Sequence, residues 1–250
     1  MKLFYKQYGE NKPAFFILHG IFGMLDNWHN IAKHLSEHYT VYTIDARNHG
    51  QSPHSMEMGY EVMADDVIEL ADDLGLKTFI LMGHSMGGKT AMVVADKYPE
   101  RISRLIVVDI APKAYKPGHL TYFKAFEDID WSRLNSRKDI DEALMPYETD
   151  PGIRLFLAKN IERNDSGGFM VRSNMPALRS AYEEIIGALH FKHRYTGPSL
   201  FITGALSRYL KETDKPYILE HFPNTRFSVV SNAGHWVHAD NPKEFLEKLL

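Results

Sequence analysis

The sequence predicts an α/β fold: a mostly parallel, doubly wound sheet carrying a helical insertion. Three observations lead there. Short β-rich runs alternate with amphipathic helical stretches, and that alternation implies parallel β-α-β units with right-handed crossovers. The runs are apolar throughout, as in strands covered on both faces. One interval, residues 113–195, breaks the rhythm.

Taken in order, Ala14–Leu18 (AFFIL) runs into His19-Gly20, Thr40–Ile44 (TVYTI) into Asp45, and Thr78–Met82 (TFILM) into Gly83. Arg104–Asp109 (RLIVVD) precedes Ile110-Ala111-Pro112, Ser199–Thr203 (SLFIT) stops at Gly204, and Arg226–Val230 (RFSVV) stops at Ser231-Asn232. Each is a β-branched and aromatic run closed by turn residues. Between them, Tyr60–Leu74 places Val62, Met63, Val67, Ile68, Leu70 and Leu74 near helical spacing. Ser85–Tyr98 reads as a helix that stops before Pro99, and Pro242–Leu250 as a last helix with proline in its first turn. Residues 113–195 hold aromatic and Met-rich helical pieces (Tyr122, Phe123, Phe126, Trp131, Phe156, Phe169, Met170, Tyr182) and a turn at 164–168. The expected organisation is therefore a core of residues 1–112 and 196–250, with 113–195 as a lid over the carboxyl ends of the strands, where open α/β sheets bind ligands.

Composition narrows the function classes. A chain of 250 residues with 44% hydrophobic content is long enough for one sizeable core, neither disordered nor membrane-like. The net charge of −3 leaves no basic stripe for nucleic acid. With no cysteine, disulfides, thiolate nucleophiles and cysteine-based zinc sites are excluded, and a cytoplasmic location suits the chain. The start, MKLFYKQYGENK, has no apolar stretch of signal-peptide type, and no apolar run reaches membrane-span length. Asn164-Asp165-Ser166 matches a glycosylation sequon that is irrelevant without secretion.

The chemistry concentrates in Gly83-His84-Ser85-Met86-Gly87-Gly88, directly after one strand and before a helix. A sharp strand-to-helix turn forces its central residue into a strained backbone conformation. Gly83 and Gly87 must then be small to avoid collision, while Gly88 and Ala91 let the helix approach the sheet. The turn lifts Ser85 Oγ above the sheet edge and aims the Met86 N–H at whatever Ser85 attacks. A phosphate-binding loop does not fit, because the glycine spacing upstream of Lys89-Thr90 is wrong.

A serine hydroxyl needs a base. Of 13 histidines, His235 follows the last strand through the small-residue loop Ser231–Gly234, which brings it to the strand ends beside Ser85. His238 and Asp240 resemble a metal pair on paper, yet a loop with that spacing is a poor ligand set. No metal and no cofactor is expected. His19 and His49 read as loop-orienting residues, and His84 as pointing away from the nucleophile.

These motifs, in this order, resemble the α/β-hydrolase family along nearly the whole chain. His19–Gly23 (HGIFG) resembles its oxyanion loop. Asp45–Ser52 (DARNHGQS) resembles its Asp-x-Arg-Gly-x-Gly-x-Ser loop, with Asn48 in place of the usual glycine, and Gly234-His235-Trp236 falls where the family keeps its catalytic histidine. Within the family, HGIFG, DNW (26–28), DARNHGQSP, GHSMGGK, VVDIAP and GHWVHAD are similar to the bacterial YbfF-type esterase group.

The resemblance also poses a problem. The imidazole needs an acceptor to fix its tautomer, and most relatives carry that acid in a Gly-x-x-Asp turn. Here the turn is Gly204-Ala205-Leu206-Ser207, and a serine supplies no negative charge. Asp109, at the end of the strand that follows the elbow unit, is the candidate acid, a pattern the YbfF-like esterases resemble. Glu212 and Asp214 are less suitable, lying along the following helix. Ser207 either shares the histidine N–H with Asp109 or fills the turn. For the oxyanion hole, Ile21 is the first choice and Phe22 the second, opposite Met86. Asp45 and Arg47 read as loop braces.

The expected reaction is acyl transfer from a small-molecule acyl ester or thioester, acyl-CoA included, to water through an acyl-enzyme on Ser85. A cofactor-free haloperoxidase, a carbon–carbon hydrolase and a ligand receptor without turnover use the same scaffold. No nucleic-acid or membrane partner is expected. Acyl-chain length, leaving group and oligomeric state are not encoded in any of these motifs.

Overall fold

The computed structural model describes residues 1–165 and 167–250. Ser166 of the sequon and of the 164–168 turn lies outside the described residues. The strands are β1 Tyr5–Tyr8, β2 Ala14–Leu18, β3 Thr40–Ile44, β4 Phe79–His84, β5 Ile102–Val108, β6 Ile161–Arg163, β7 Phe169–Val171, β8 Ser199–Gly204 and β9 Thr225–Val230. The helices are α1 His29–Leu35, α2 Tyr60–Asp73, α3 Met86–Lys97, α4 Leu120–Asp128, α5 Arg137–Leu144, α6 Pro151–Ala158, α7 Met175–Ser180, α8 Tyr182–Ile186, α9 Lys215–His221, α10 Val237–Asp240 and α11 Pro242–Leu249.

Seven strands form one sheet in the order β1-β3-β2-β4-β5-β8-β9. All pairs are parallel except the antiparallel β1–β3 edge. Period-two alternation divides each strand between two cores. Phe16, Leu18, Leu81, Leu105 and Val107 face α2 and α3, while Phe15, Ile17, Met82, Ile106 and Val108 face α1 and α11. Both faces being covered explains why the central strands are apolar over most of their length. β9 departs from that expectation: as an edge strand it is half exposed, with only Val230 buried. β1 (YKQY) was invisible to hydrophobic patterning, because it too lies on an edge and turns mostly polar side chains to solvent.

Chain order reverses at β2, with β3 on one side and β4 on the other. Such a reversal opens a crevice at the carboxyl ends of the strands. The segment between β5 and β8 is mostly helical, as expected, holding α4 to α8, and adds a short antiparallel hairpin, β6–β7, that the sequence reading did not include. Strands of three residues leave too little sequence for a periodic signal. This segment is tied down at the crevice: Asn160 Nδ2 donates to Phe22 O at 2.8 Å, and the Asn174 N–H to Asn48 O at 2.9 Å. Asn48 has φ +66°, the left-handed conformation that a glycine or asparagine tolerates.

Candidate active site

β4 delivers Ser85 through a strained turn. Ser85 has φ +53° and ψ −117°, an outlier for a residue with a Cβ. The turn closes only because its neighbours are glycines: a Cβ on Gly83 would lie 2.0 Å from Gly87 O, and one on Gly87 would lie 2.6 Å from Leu18 O and His19 O. A Cβ on Gly88 would meet Ile110 at 2.6 Å, so this glycine lets α3 settle against the sheet.

β5 leads to the candidate acid. His84 of β4 pairs with Val108 of β5, and the Ser85 N–H donates to Val108 O at 3.1 Å. Asp109 is therefore the next residue along the adjacent strand, fully buried and itself at φ +51°. The His235 Nδ1–H donates to Asp109 Oδ2 at 2.7 Å, which leaves Nε2 for Ser85. Ser85 Oγ makes no hydrogen bond to the described residues, and such contacts are commonly loose until substrate is bound.

Asp109 collects three further donors. Ser207 Oγ donates to the same Oδ2 that His235 uses, Thr203 Oγ1 donates to Oδ1, and the Gly204 N–H donates to Oδ1 at 3.2 Å. A buried carboxylate requires such donors. Ser207 closes the turn, with its N–H on Gly204 O at 3.0 Å and its Oγ accepting from the Tyr209 N–H at 3.2 Å, and its hydroxyl gives its proton to Asp109 rather than sharing the imidazole N–H. Thr203 and Gly204 had no sequence signal, since their role depends on β8 lying beside β5. Asp214 pairs instead with Lys113, and Glu212 with Lys215.

The loop after β2 sits across the crevice. Ile21 N–H and Met86 N–H have no hydrogen-bond partner among the described residues, and both residues border a cavity with Ser85. The Phe22 N–H donates to His49 Nε2 at 3.3 Å, which occupies it and leaves the Ile21 N–H as the candidate donor on this loop. The Phe22 ring packs among Phe123, Phe126 and Tyr122. His19 and His49 brace this loop as read: His19 Nε2 accepts from the Ala46 N–H at 3.0 Å, and His49 Nδ1 donates to Arg47 O at 2.9 Å. Asp45 accepts from the Leu25 and Gln51 N–H groups, and Arg47 forms a bidentate pair with buried Asp66.

His84, read as pointing away from Ser85, reaches toward His235. Its Nε2–H donates to His235 O at 2.8 Å, and its ring lies 4.6 Å from the His235 ring, so it supports the base. Tyr209 stacks on the other side of His235 at 3.7 Å and 15°. His238 stacks flat on Trp28 at 3.9 Å, and Asp240 accepts from the Gly234 N–H, so both residues serve the loop around His235. Among the described residues, no group of three or more His, Cys, Asp or Glu is placed to hold a metal ion. Burial, followed by the neighbouring His235 charge, pushes His238 down to about 3. Burial likewise lowers His119 to about 4, and His84 lies well below its ordinary value.

Two cavities meet at Ser85. The larger, about 670 Å³, is bordered by His235, Trp236, Phe156 and Tyr122. The smaller, about 340 Å³, is bordered by Met86, Lys89, Ile110, Tyr115 and Ile185. Of the aromatic and methionine residues singled out in the inserted segment, Phe123, Phe126, Trp131, Phe169 and Tyr182 are buried core, Tyr122 and Phe156 reach a cavity, and Met170 is exposed.

Residues 13–242 match the family described as alpha/beta hydrolase fold. The chain is 39% identical over 245 residues to the sn-1-specific diacylglycerol lipase ABHD11 of Mus musculus, covering 94% of this chain and 79% of that one. It is 32% identical over 240 residues to esterase YbfF of Escherichia coli, covering 96% and 92% of the two chains. A solved structure titled marine microorganism esterase superposes with TM-score 0.96 at 38% identity, covering 99% of this chain and 98% of that one.

Proposed function

The chain belongs to the α/β-hydrolase family, and on that premise we propose that it is a carboxylesterase-type serine hydrolase working through an acyl-enzyme on Ser85. The observation that carries this reading is the His235–Asp109 hydrogen bond at 2.7 Å, placed at the strand ends beside a serine held at φ +53°. Ser85 Oγ attacks the ester carbonyl while His235 Nε2 takes its proton, and the Asp109 carboxylate stabilises the resulting imidazolium. The Ile21 and Met86 N–H groups receive the oxyanion, each contributing on the order of 3 kcal/mol to transition-state stabilisation. His235 then protonates the leaving alcohol, and water deacylates the enzyme with His235 as base.

The relatives named as esterases and as a diacylglycerol lipase support oxygen esters as the substrate class. Acyl thioesters, acyl-CoA among them, follow the same chemistry with a thiol as leaving group. A fluorophosphonate probe should label the wild-type chain and not Ser85→Ala, and a panel of acyl esters against matched acyl-CoA thioesters should give the higher kcat/KM with the esters. Absence of labelling in the wild type would point to a receptor without turnover.

A further inference from the structure

The smaller cavity is not only apolar. Lys89 lies at 1% exposure on its wall, four residues after the nucleophile in α3. Its ammonium has no carboxylate within ion-pair distance among the described residues. Nζ donates to Gly187 O and to Ile185 O at 3.4 Å, and it lies 5.0 Å from the Tyr115 ring and 5.7 Å from the Tyr60 ring. An ammonium has three N–H donors, so two carbonyls leave one without a partner. An unpaired buried charge is costly; burial pushes this group down to about 8. Two more cations, Lys116 and Arg208, are exposed, border the same cavity and have no ion-pair partner among the described residues. Among the described residues, no aspartate or glutamate borders it.

The direction of the reaction assigns the two cavities. The leaving alcohol must receive its proton from His235, so it departs into the larger cavity, which His235 borders. His235 does not border the smaller one, where the acyl chain is left to lie, between Met86, Ile110 and Ile185. We propose that the acyl group this enzyme accepts carries a terminal carboxylate, which pairs with Lys89 inside the smaller cavity and with Arg208 and Lys116 at its rim. The substrates would then be half-esters of short dicarboxylic acids. Apolar walls hold the methylene chain, and the unpaired ammonium receives the anion through a charge-assisted hydrogen bond. This deepens the esterase reading and rests on Ser85 as nucleophile.

The experiment compares kcat/KM for three ethyl or butyryl esters: monoethyl glutarate, neutral ethyl pentanoate, and the butyrate ester of 3-hydroxypropanoate, which carries its carboxylate on the alcohol. The glutarate half-ester should be preferred over the neutral ester by about tenfold or more, since a charge-assisted bond at a desolvated site corresponds to at least that factor. In Lys89→Met that ratio should fall by about tenfold, and in Arg208→Gln, at the exposed rim, by about threefold. Reading the ratio within each variant removes any common loss from misfolding. Preference for the 3-hydroxypropanoate ester instead would place the anion on the leaving side and overturn the assignment. Turnover of neutral esters with no half-ester preference would overturn this inference while leaving the esterase reading intact. Failure to cleave any of the three would count against the esterase reading; the anion site is then decided by titrating glutarate into Ser85→Ala and Ser85→Ala/Lys89→Met, where equal affinities would overturn it.

Discussion

His235 and Asp109 stand 126 residues apart in sequence and 2.7 Å apart in space, and the carboxylate that joins them is fully buried. Asp109 directly follows β5, the strand beside the one that delivers Ser85, and Ser207 of the later turn donates its hydroxyl proton to it.

Asp109→Asn should lower kcat by about 10⁴-fold, because an amide holds the wrong imidazole tautomer. Ser207→Ala removes one of the donors to Oδ2 and should cost about tenfold, equivalent to about 1.4 kcal/mol. Steady-state kinetics with p-nitrophenyl butyrate measure both, and a larger loss in Ser207→Ala would show that the acid has been misassigned.

His84→Phe keeps a ring beside His235 and removes only the 2.8 Å bond to its carbonyl. A residue acting through the base should reduce kcat by about tenfold with KM little changed. An increase in KM alone would instead place His84 in substrate binding.

Gly83→Ala forces a Cβ to within 2.0 Å of Gly87 O, and backbone on both sides leaves little room to yield. Overpacking of this kind should destabilise the fold by about 2 kcal/mol or more and displace Ser85. Urea unfolding with parallel fluorophosphonate labelling reads both effects; a fully labelled, fully stable variant would mean the elbow is less tight than described.

Acid should destabilise the fold by forcing protons onto buried histidines. Burial, then the nearby His19 charge, pushes His49 down to about 3, and His238 lies at about 3 as well, against 6.5 for the unfolded side chain. Between those values the unfolded chain binds more protons than the folded one, so stability rises with pH and is lost as pH falls from 6.5 toward 3. Each residue should cost about 2 kcal/mol at pH 5 relative to neutral pH. Denaturant midpoints at pH 7.5, 6 and 5 should therefore decline, and His238→Asn should flatten the decline.

The positions of the elbow and of the candidate base and acid were legible because each follows an apolar run: Ser85 after β4, Asp109 after β5, His235 in the loop after β9. The braces at His19, His49, Asp45 and Arg47 were legible through their motif. β1 was not, because an edge strand needs no apolar face, nor was the β6–β7 hairpin, whose strands are three residues long. Tyr209 lies two residues beyond Ser207 yet gave no sign of stacking on His235.

Sequence alone determined the strand-turn-helix cycle and the residue types that the chemistry needs, since hydrophobic periodicity and glycine placement are local properties of the chain. Only the tertiary structure decided which hydrogen-bonding groups meet: that Thr203, Gly204 and Ser207 converge on Asp109, that Phe22 gives its N–H to His49, and that Lys89 is buried near Ser85 with no counter-charge among the described residues. Those contacts follow from strand order and parallel register, which bring distant segments within about 3 Å of one another, and no local pattern encodes an interaction of that range.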